Sequence, residues 1–575
     1  MKRFIYVGLF GFTVAAIAAS ARPPQQPSAP ADLVLIDGRI VTVDAAAPEA
    51  QAIAIRGDRI AAVGTSDEIK RSAGSNTRVI DLHGQLAIPG FIESHGHFTG
   101  VGEMKFELDL TKAQTWDEIV AMVGEAAKTK KPGEWIRGRG WHQEKWASRP
   151  EPNVEGFPTH ASLDTVSPNN PVVLTHASGH ATFVNAKAMA VARVTRETKN
   201  PPGGEVLRDA TGDATGLLRE TASGLVRQPS LTGADAEAHL RKVLELAAQE
   251  SLSKGITTFE DAGSPLATID MMKKMVDEGS MGIRLWVMVR QPNGVIASRL
   301  AQYKMLDYGG GHLTVRAIKK QIDGALGSRG AWLLEPYADK PESSGQNTTS
   351  IEDIDETARL ALENGYQLCV HAIGDRGNRE TLNIFERAFK AHPDKKDLRW
   401  RVEHAQHLSA QDVPRFGQLG VIASMQGIHC TSDAPYVVAR LGPKRAEEGA
   451  YVWQKLMKSG AAIANGTDAP VEDVDPIPNF YASVSRKLKD GSVFYPDQRM
   501  SRMEALRSCT VNGAYAGFEE ENRGSLTPGK YADVTVLSKD IMTIPEDQIP
   551  SAKVVYTIVG GKIMFSPQSS LRSQR

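Results

Sequence analysis

At 575 residues, with 41% hydrophobic and 23% charged side chains, the chain has ample material for a large soluble core. A formal net charge of −1 gives no electrostatic ground for a nucleic-acid partner or an anionic membrane, and 6% aromatic residues are too few for a base-stacking platform. The three cysteines, Cys369, Cys430 and Cys509, are too sparse for a disulfide framework, so packing must hold the fold.

The N-terminus has the three parts of a secretory signal peptide. Lys2 and Arg3 are basic, Phe4 to Ala18 is apolar, and Ala19-Ser20-Ala21 offers a small-residue cleavage site. We expect residues 1–21 to be removed on export to a periplasm or the medium. The apolar run is short for a membrane span, and a polar, proline-rich linker follows at 22–31. No stable membrane association is therefore expected after cleavage, an uncleaved anchor being the alternative.

Residues 32–85 read as short strands and turns. Leu33 to Ile36 leads through Asp37-Gly38 into Arg39 to Val43, and Ala52 to Ile55 turns at Gly57-Asp58 into Arg59 to Val63. The same grammar returns at 523–567, with Ala532 to Leu537, then Val554 to Val559 turning at Gly560-Gly561. Two half-sets of strands flanking a long middle predict one small β domain built from both chain ends.

The middle, 86–522, repeats a different unit. Leu240, Val243, Leu244, Ala247 and Leu252 give one apolar face to a helix from Thr232 to Lys254; Gly255 ends it, and a strand starts at Ile256. Ser350 opens a second helix that Gly365 closes before the strand Tyr366 to Val370, and two further helices end near Gly420 and Gly460 before short apolar runs. Helix, glycine and short buried strand in repetition mean parallel strands with crossover helices, arranged as a barrel or an open sheet.

The polar residues decide between them. His95-Gly96-His97 places two imidazoles on one side of a strand, where they can converge on a metal ion. His371, His404 and Asp468 also stand at the C-terminal ends of predicted strands. In an α/β barrel those ends form one rim, and imidazole with carboxylate suits zinc or a similar divalent ion.

With these motifs the chain resembles the amidohydrolase superfamily, specifically the YtcJ-like branch of amidohydrolase family 3. The resemblance is carried by Pro89 to His97, Gly138 to Trp141, Gly179 to Asn185, Lys319 to Arg329, His371 to Arg376, Arg401 to Gln406, Gly466 to Pro470 and Gly524 to Asp533. It implies a (β/α)8 TIM-like barrel with a β-sandwich from both termini, and a metal-dependent hydrolase. Carried over by position, His95, His97, Lys319, His371, His404 and Asp468 are the metal ligands, for one or two zinc-like ions per chain. Lys319 matches a lysine that carries a bridging carbamate, Asp468 matches the aspartate that takes the proton of the attacking water, and His180 faces the substrate. Two departures stand out: Glu93 replaces a usual aspartate, and Lys320 beside Lys319 leaves the lysine register open. His176 reads as structural with a substrate role as the alternative, and His407 as either support for His404 or surface.

The function this implies is an exported amidohydrolase in which metal-activated water cleaves a non-peptide carbon–nitrogen bond of a small molecule, with Asp468 and His180 as the catalytic side chains. An esterase or lactonase on the same site, and a non-catalytic scaffold, are the alternatives. Loops Gly140 to Phe157 and Gly324 to Asn347 are expected to choose the substrate, and a homo-oligomer is compatible with the sequence.

Overall fold

The computed structural model describes residues 29–567, so the expected signal peptide at 1–21 and most of the linker lie outside the described residues. Eight parallel strands form the central sheet: β1 Phe91–Gly96, β2 Ile256–Ser264, β3 Arg284–Val289, β4 Leu313–Gln321, β5 Gln367–Ala372, β6 Arg401–His404, β7 Ile422–Gln426 and β8 Ile463–Gly466. They neighbour one another in chain order, and the two ends of the sheet meet. The Asp468 N–H donates to the His95 carbonyl at 2.7 Å and the His97 N–H to the Ala469 carbonyl at 2.6 Å, which draws β8 against β1. The result is a (β/α)8 barrel. Strands buried on both faces explain the near-continuous apolar runs, as in Arg284–Val289, which is buried throughout.

Crossover helices form where the periodicity requires. Gly233–Ser253 buries Val243, Leu244, Ala247, Ala248, Ser251 and Leu252 along one face. Gly255, at φ +84°, then takes the left-handed conformation that turns the chain into β2. The helix Ile351–Asn364 starts with the Ser350 side chain accepting the Asp353 N–H and stops at Gly365, φ +65°.

Both chain ends meet beside the barrel in two sheets. One orders Arg59–Gly64, Ala52–Arg56, Ala31–Ile36 and Ala73–Asp81; the other orders Lys562–Phe565, Val554–Val559, Val534–Leu537, Leu86–Pro89, Arg39–Val41 and Glu49–Ala50. Leu33, Leu35, Ile53 and Ile55 from the first share a core with Ile40, Val534, Val536 and Ile558 from the second. The barrel starts at Phe91 and not at Leu86, because Leu86–Pro89 pairs antiparallel with Val534–Leu537. The Arg284 guanidinium joins barrel to sandwich through two hydrogen bonds to Asp533, at 2.8 and 3.1 Å.

One feature lies outside the sequence expectation. Between β1 and β2 a six-stranded sheet of its own is inserted, ordered Gly204–Arg208, Ala214–Glu220, Ala181–Val184, Val172–His176, Ile136–Trp141 and Leu108–Asp109. Trp116, Trp141, Phe157, Leu163, Phe183 and Leu217 give it a separate core. Residues 86–522 are therefore a barrel plus this insertion, whose short apolar strands are indistinguishable by pattern from barrel strands. Among the described residues no helix is long and apolar enough to cross a membrane.

Candidate metal centre and active site

The C-terminal ends of the barrel strands enclose a cavity of about 720 Å³, lined among others by His97, His180, Lys319, His371, His404 and Asp468. His95 lies just beneath, fully buried. Residues from five strand ends and the insertion thus meet in one place. Donor atoms of His95, His404 and Asp468 lie within 4.8 Å of one another. Asp468 Oδ1 stands 3.2 Å from His97 Nε2 and 3.5 Å from His95 Nε2. The His371 ring centroid is 4.4 Å from that of His404, which is 4.6 Å from that of His95.

Each ligand candidate is oriented from behind. His95 Nδ1 bonds Glu403 Oε2, which turns Nε2 toward the cavity. His404 Nδ1 bonds Gln426 Oε1 at 2.8 Å with the same effect. Arg401 holds Glu403 in turn, Nε to Oε1 at 2.8 Å, and also reaches Glu260 on β2 and Ser424 on β7. An imidazole fixed through one nitrogen presents the other as a ligand. Asp323, at the end of β4, accepts N–H groups from Trp332, Ile373 and Gly374 at 2.8–3.0 Å and sits 3.7 Å from His371 Nε2.

The backbone is forced at this rim. His404 has φ +76° and Asp468 φ +58°, values that side chains with a Cβ rarely adopt. Such positions cost of order 1–3 kcal/mol each and persist where the surroundings over-determine them. They aim both side chains inward as the strands end.

Electrostatics leaves these groups in ligand-ready states. Burial, reinforced by the Lys319 charge, lowers the His95 pKa to about 4. Burial also holds His371 and His404 well below the usual imidazole value, so all three rings are neutral at pH 7. Burial alone would raise Asp468, but the His97 hydrogen bond and the neighbouring histidines outweigh it and keep its carboxylate ionised. Lys319 Nζ lies 3.4 Å from His95 Nε2, and burial lowers its pKa to about 8. Lys320 instead pairs with Asp353 at 2.9 Å.

A divalent ion fits this donor set. His371 Nε2 is buried without a hydrogen-bond partner, an arrangement that costs free energy unless something satisfies it. Three neutral imidazoles and an ionised carboxylate are the donors a divalent ion of the zinc type takes.

The remaining expectations divide. His180, on the insertion, reaches the cavity with its ring centroid 5.0 Å from that of His371, and its Nδ1 bonds Glu220 Oε2 at 2.7 Å. Glu220 itself sits at φ +49°. Burial opposes the His180 charge, yet Glu220 outweighs it and raises the pKa. His176 is satisfied by Gln143 and Ser178 and does not line the main cavity. His407 is not at the surface: it is buried against Tyr451. Glu93 turns away from the donors and ties β1 to β8, accepting from the Thr467 N–H at 2.7 Å and its hydroxyl at 2.9 Å. Sequence reasoning passed over Glu403, Gln426, Glu220 and Asp323. Glu403 adjoins a ligand candidate and Asp323 lies inside the motif Lys319 to Arg329, but nothing local marks Gln426 or Glu220.

A narrower chamber of about 40 Å³ continues from His180, His371, His404 and Asp468 to His142, Lys145, Leu326, His429, Tyr436 and Glu472. Part of its wall comes from the two loops at 140–157 and 324–347.

Comparison with known proteins agrees with this geometry. The sequence profile of the Amidohydrolase family matches residues 78–565. The chain is 30% identical to YtcJ of Bacillus subtilis (strain 168), over 92% of this chain and 98% of that one. It is 26% identical to the N-substituted formamide deformylase of Arthrobacter pascens, over 94% and 99% respectively. The crystal structure of an uncharacterised metal-dependent hydrolase from Pyrococcus horikoshii superposes with a TM-score of 0.70 at 25% identity, covering 90% of this chain and 99% of that one.

Proposed function

The chain belongs to the amidohydrolase family, in its YtcJ-like branch, and is a metal-dependent hydrolase; from that premise we propose that it hydrolyses a non-peptide carbon–nitrogen bond of a small amide, carbamate or N-acyl compound after export from the cell. The observation that carries the reading is the convergence of His95, His404 and Asp468 at the floor of the cavity, beside a His371 Nε2 that is buried without a partner. A relative named for deformylating N-substituted formamides supports the amide class.

His95, His97, Lys319, His371, His404 and Asp468 would hold the metal, one ion or two, with zinc the ion best matched to the donors. A bound divalent ion supplies a Lewis acid for the carbonyl and acidifies water from a pKa of about 16 to about 7. Lys319 meets the chemical requirement for carbamylation, which needs a neutral amine: a pKa near 8 leaves a usable fraction unprotonated at neutral pH.

Asp468 is the proton carrier. Its ionised carboxylate accepts a proton from the attacking water and returns it to the leaving nitrogen. His180 donates a hydrogen bond to the developing oxyanion. With Nδ1 committed to Glu220, a neutral ring would present a bare Nε2, so the donor has to be the imidazolium that Glu220 favours.

Elemental analysis of the purified protein, followed by a panel of amides, carbamates and esters before and after chelation, tests the reading. We expect stoichiometric divalent metal and chelator-sensitive amide turnover. Preferred turnover of esters would transfer the assignment to an esterase or lactonase, and absence of metal would sink it.

A further inference from the structure

Two guanidinium groups line the cavity with no carboxylate in direct ion-pair contact. Arg139, on the insertion strand Ile136–Trp141, and Arg290, directly after β3, line the same space as Lys319, His371, His404 and Asp468. Arg139 Nη2 makes a long hydrogen bond to the Ala177 carbonyl at 3.4 Å, and its Nε is buried with no partner. Arg290 Nη2 reaches only the neutral Gln321 Oε1, at 3.3 Å. Among the described residues neither is in an ion pair.

Buried arginines elsewhere are ion-paired, whereas buried Arg486 is held by the carbonyls of Phe494 and Tyr451. Arg219 holds Glu155 and Glu205, Arg284 holds Asp533, Arg401 holds Glu260 and Glu403, and Arg440 holds Glu144 and Asp339. Other charged groups of the cavity are engaged: Lys320 with Asp353, and Glu220 with His180. Lys319, whose Nζ meets His95 Nε2, and the two guanidinium groups are the cations left without an ion pair, and only the guanidinium groups offer a planar fork.

The backbone makes room for Arg290: at Gly263, φ +128°, a Cβ would lie 2.8 Å from the Arg290 Cβ and 3.1 Å from the Lys319 Cβ. Arg290 is solvent-exposed, but Arg139 is half-buried, and a partly desolvated guanidinium without a counter-ion is costly unless an anion completes it. Its planar fork matches a carboxylate in two parallel hydrogen bonds.

We propose that the substrate bears a carboxylate, held by Arg139 and Arg290, while its N-acyl or carbamoyl carbonyl lies at the histidine–aspartate cluster. The scissile bond in this statement rests on the hydrolase reading above; the anion rests on the arginine pair alone. Arg139 comes from the insertion and Arg290 from the barrel, so the anion bridges the two.

Matched probes test it. N-acetyl-alanine, as both enantiomers, carries the carboxylate; N-acetyl-alanine methylamide is its neutral counterpart. Calorimetric binding to the metal-loaded full chain, and kcat/KM where turnover occurs, are compared in the wild type, in Arg290→Gln, and in the double variants R139Q/R290Q and R139K/R290K. The acid is expected to be favoured by about tenfold or more, the effect of one charge-assisted hydrogen bond. R139Q/R290Q should erase that preference with the neutral probe's constants within about threefold, and the lysine pair should restore part of it. Arg290→Gln, at a solvent-exposed side chain, should give a partial loss and serves if the double variant does not fold. Equal affinity for acid and methylamide overturns the proposal. So does a preference that survives R139Q/R290Q, which would put the carboxylate on the metal. Arginine-dependent binding of the acid with no turnover of any amide would uphold the anion site and fail the hydrolase reading; amide turnover without acid preference would do the reverse.

Discussion

Asp468 and His371 line one cavity but are expected to fail differently when replaced. Asp468→Asn keeps shape and hydrogen bonding while removing the base, so kcat should fall by at least about 10²-fold, the lower end for a general acid–base group. The histidines still present four imidazoles, so metal content measured on the purified variant should change little. His371→Ala removes a donor outright and should lose metal and activity together. Full activity in Asp468→Asn with full metal would reassign the proton carrier. Glu403 is a second discriminating position. It touches no cavity atom, yet it bonds His95 Nδ1 and is held ionised, far below its usual range despite burial, chiefly by Arg401. Glu403→Gln should weaken metal binding by about 10- to 100-fold in a chelator competition, the usual cost of losing the partner behind a ligating imidazole. An unchanged affinity would reduce Glu403 to a packing role.

At the scale of elements, the site depends on how β3 is anchored. Arg284 and Asp533 are both buried, and they join the barrel strand to the sandwich strand's entry. Removing one member of a buried pair leaves an uncompensated charge, so Asp533→Asn should cost about 3–5 kcal/mol in denaturant unfolding. The pair also has a pH signature. Burial pushes the Asp533 carboxyl up, but Arg284 more than offsets this and leaves it below its ordinary value. A carboxyl whose folded pKa is depressed contributes its full stability above the ordinary carboxylate range, and that contribution is lost as pH falls through the folded value. The wild type should therefore lose stability on acidification by a margin that Asp533→Asn lacks; parallel acid profiles for the two proteins would exclude the pair as the cause.

For the molecule as a whole, ligation and folding are linked. An ion that binds only the folded chain adds about 4 kcal/mol when present at 1,000 times its Kd. Chelation should lower the thermal midpoint, and readdition of zinc should restore it; a midpoint insensitive to both would mean that the donor cluster holds no ion. Export is a prediction on the same scale. If residues 1–21 are removed, protein isolated from its producing cell begins near Arg22, and mass spectrometry finding intact Met1 would contradict it.

By itself the sequence determined the class of fold and the principal candidates of the site. Helix, glycine and buried strand recur because each βα unit repeats one packing problem, and His95, His97, His371, His404 and Asp468 each end a strand, a position with a local signature. The tertiary structure decided the rest. That β8 closes on β1, that Leu86–Pro89 leaves the barrel to pair with Val534–Leu537, and that a separate sheet is inserted after β1 are long-range pairings for which short strands carry no address. Glu403, Gln426 and Glu220 stand behind His95, His404 and His180 across as many as 308 residues of chain. Their roles follow from which atoms the fold brings within 3 Å, and a lone glutamine or glutamate in a strand looks the same whether or not a histidine waits across the sheet.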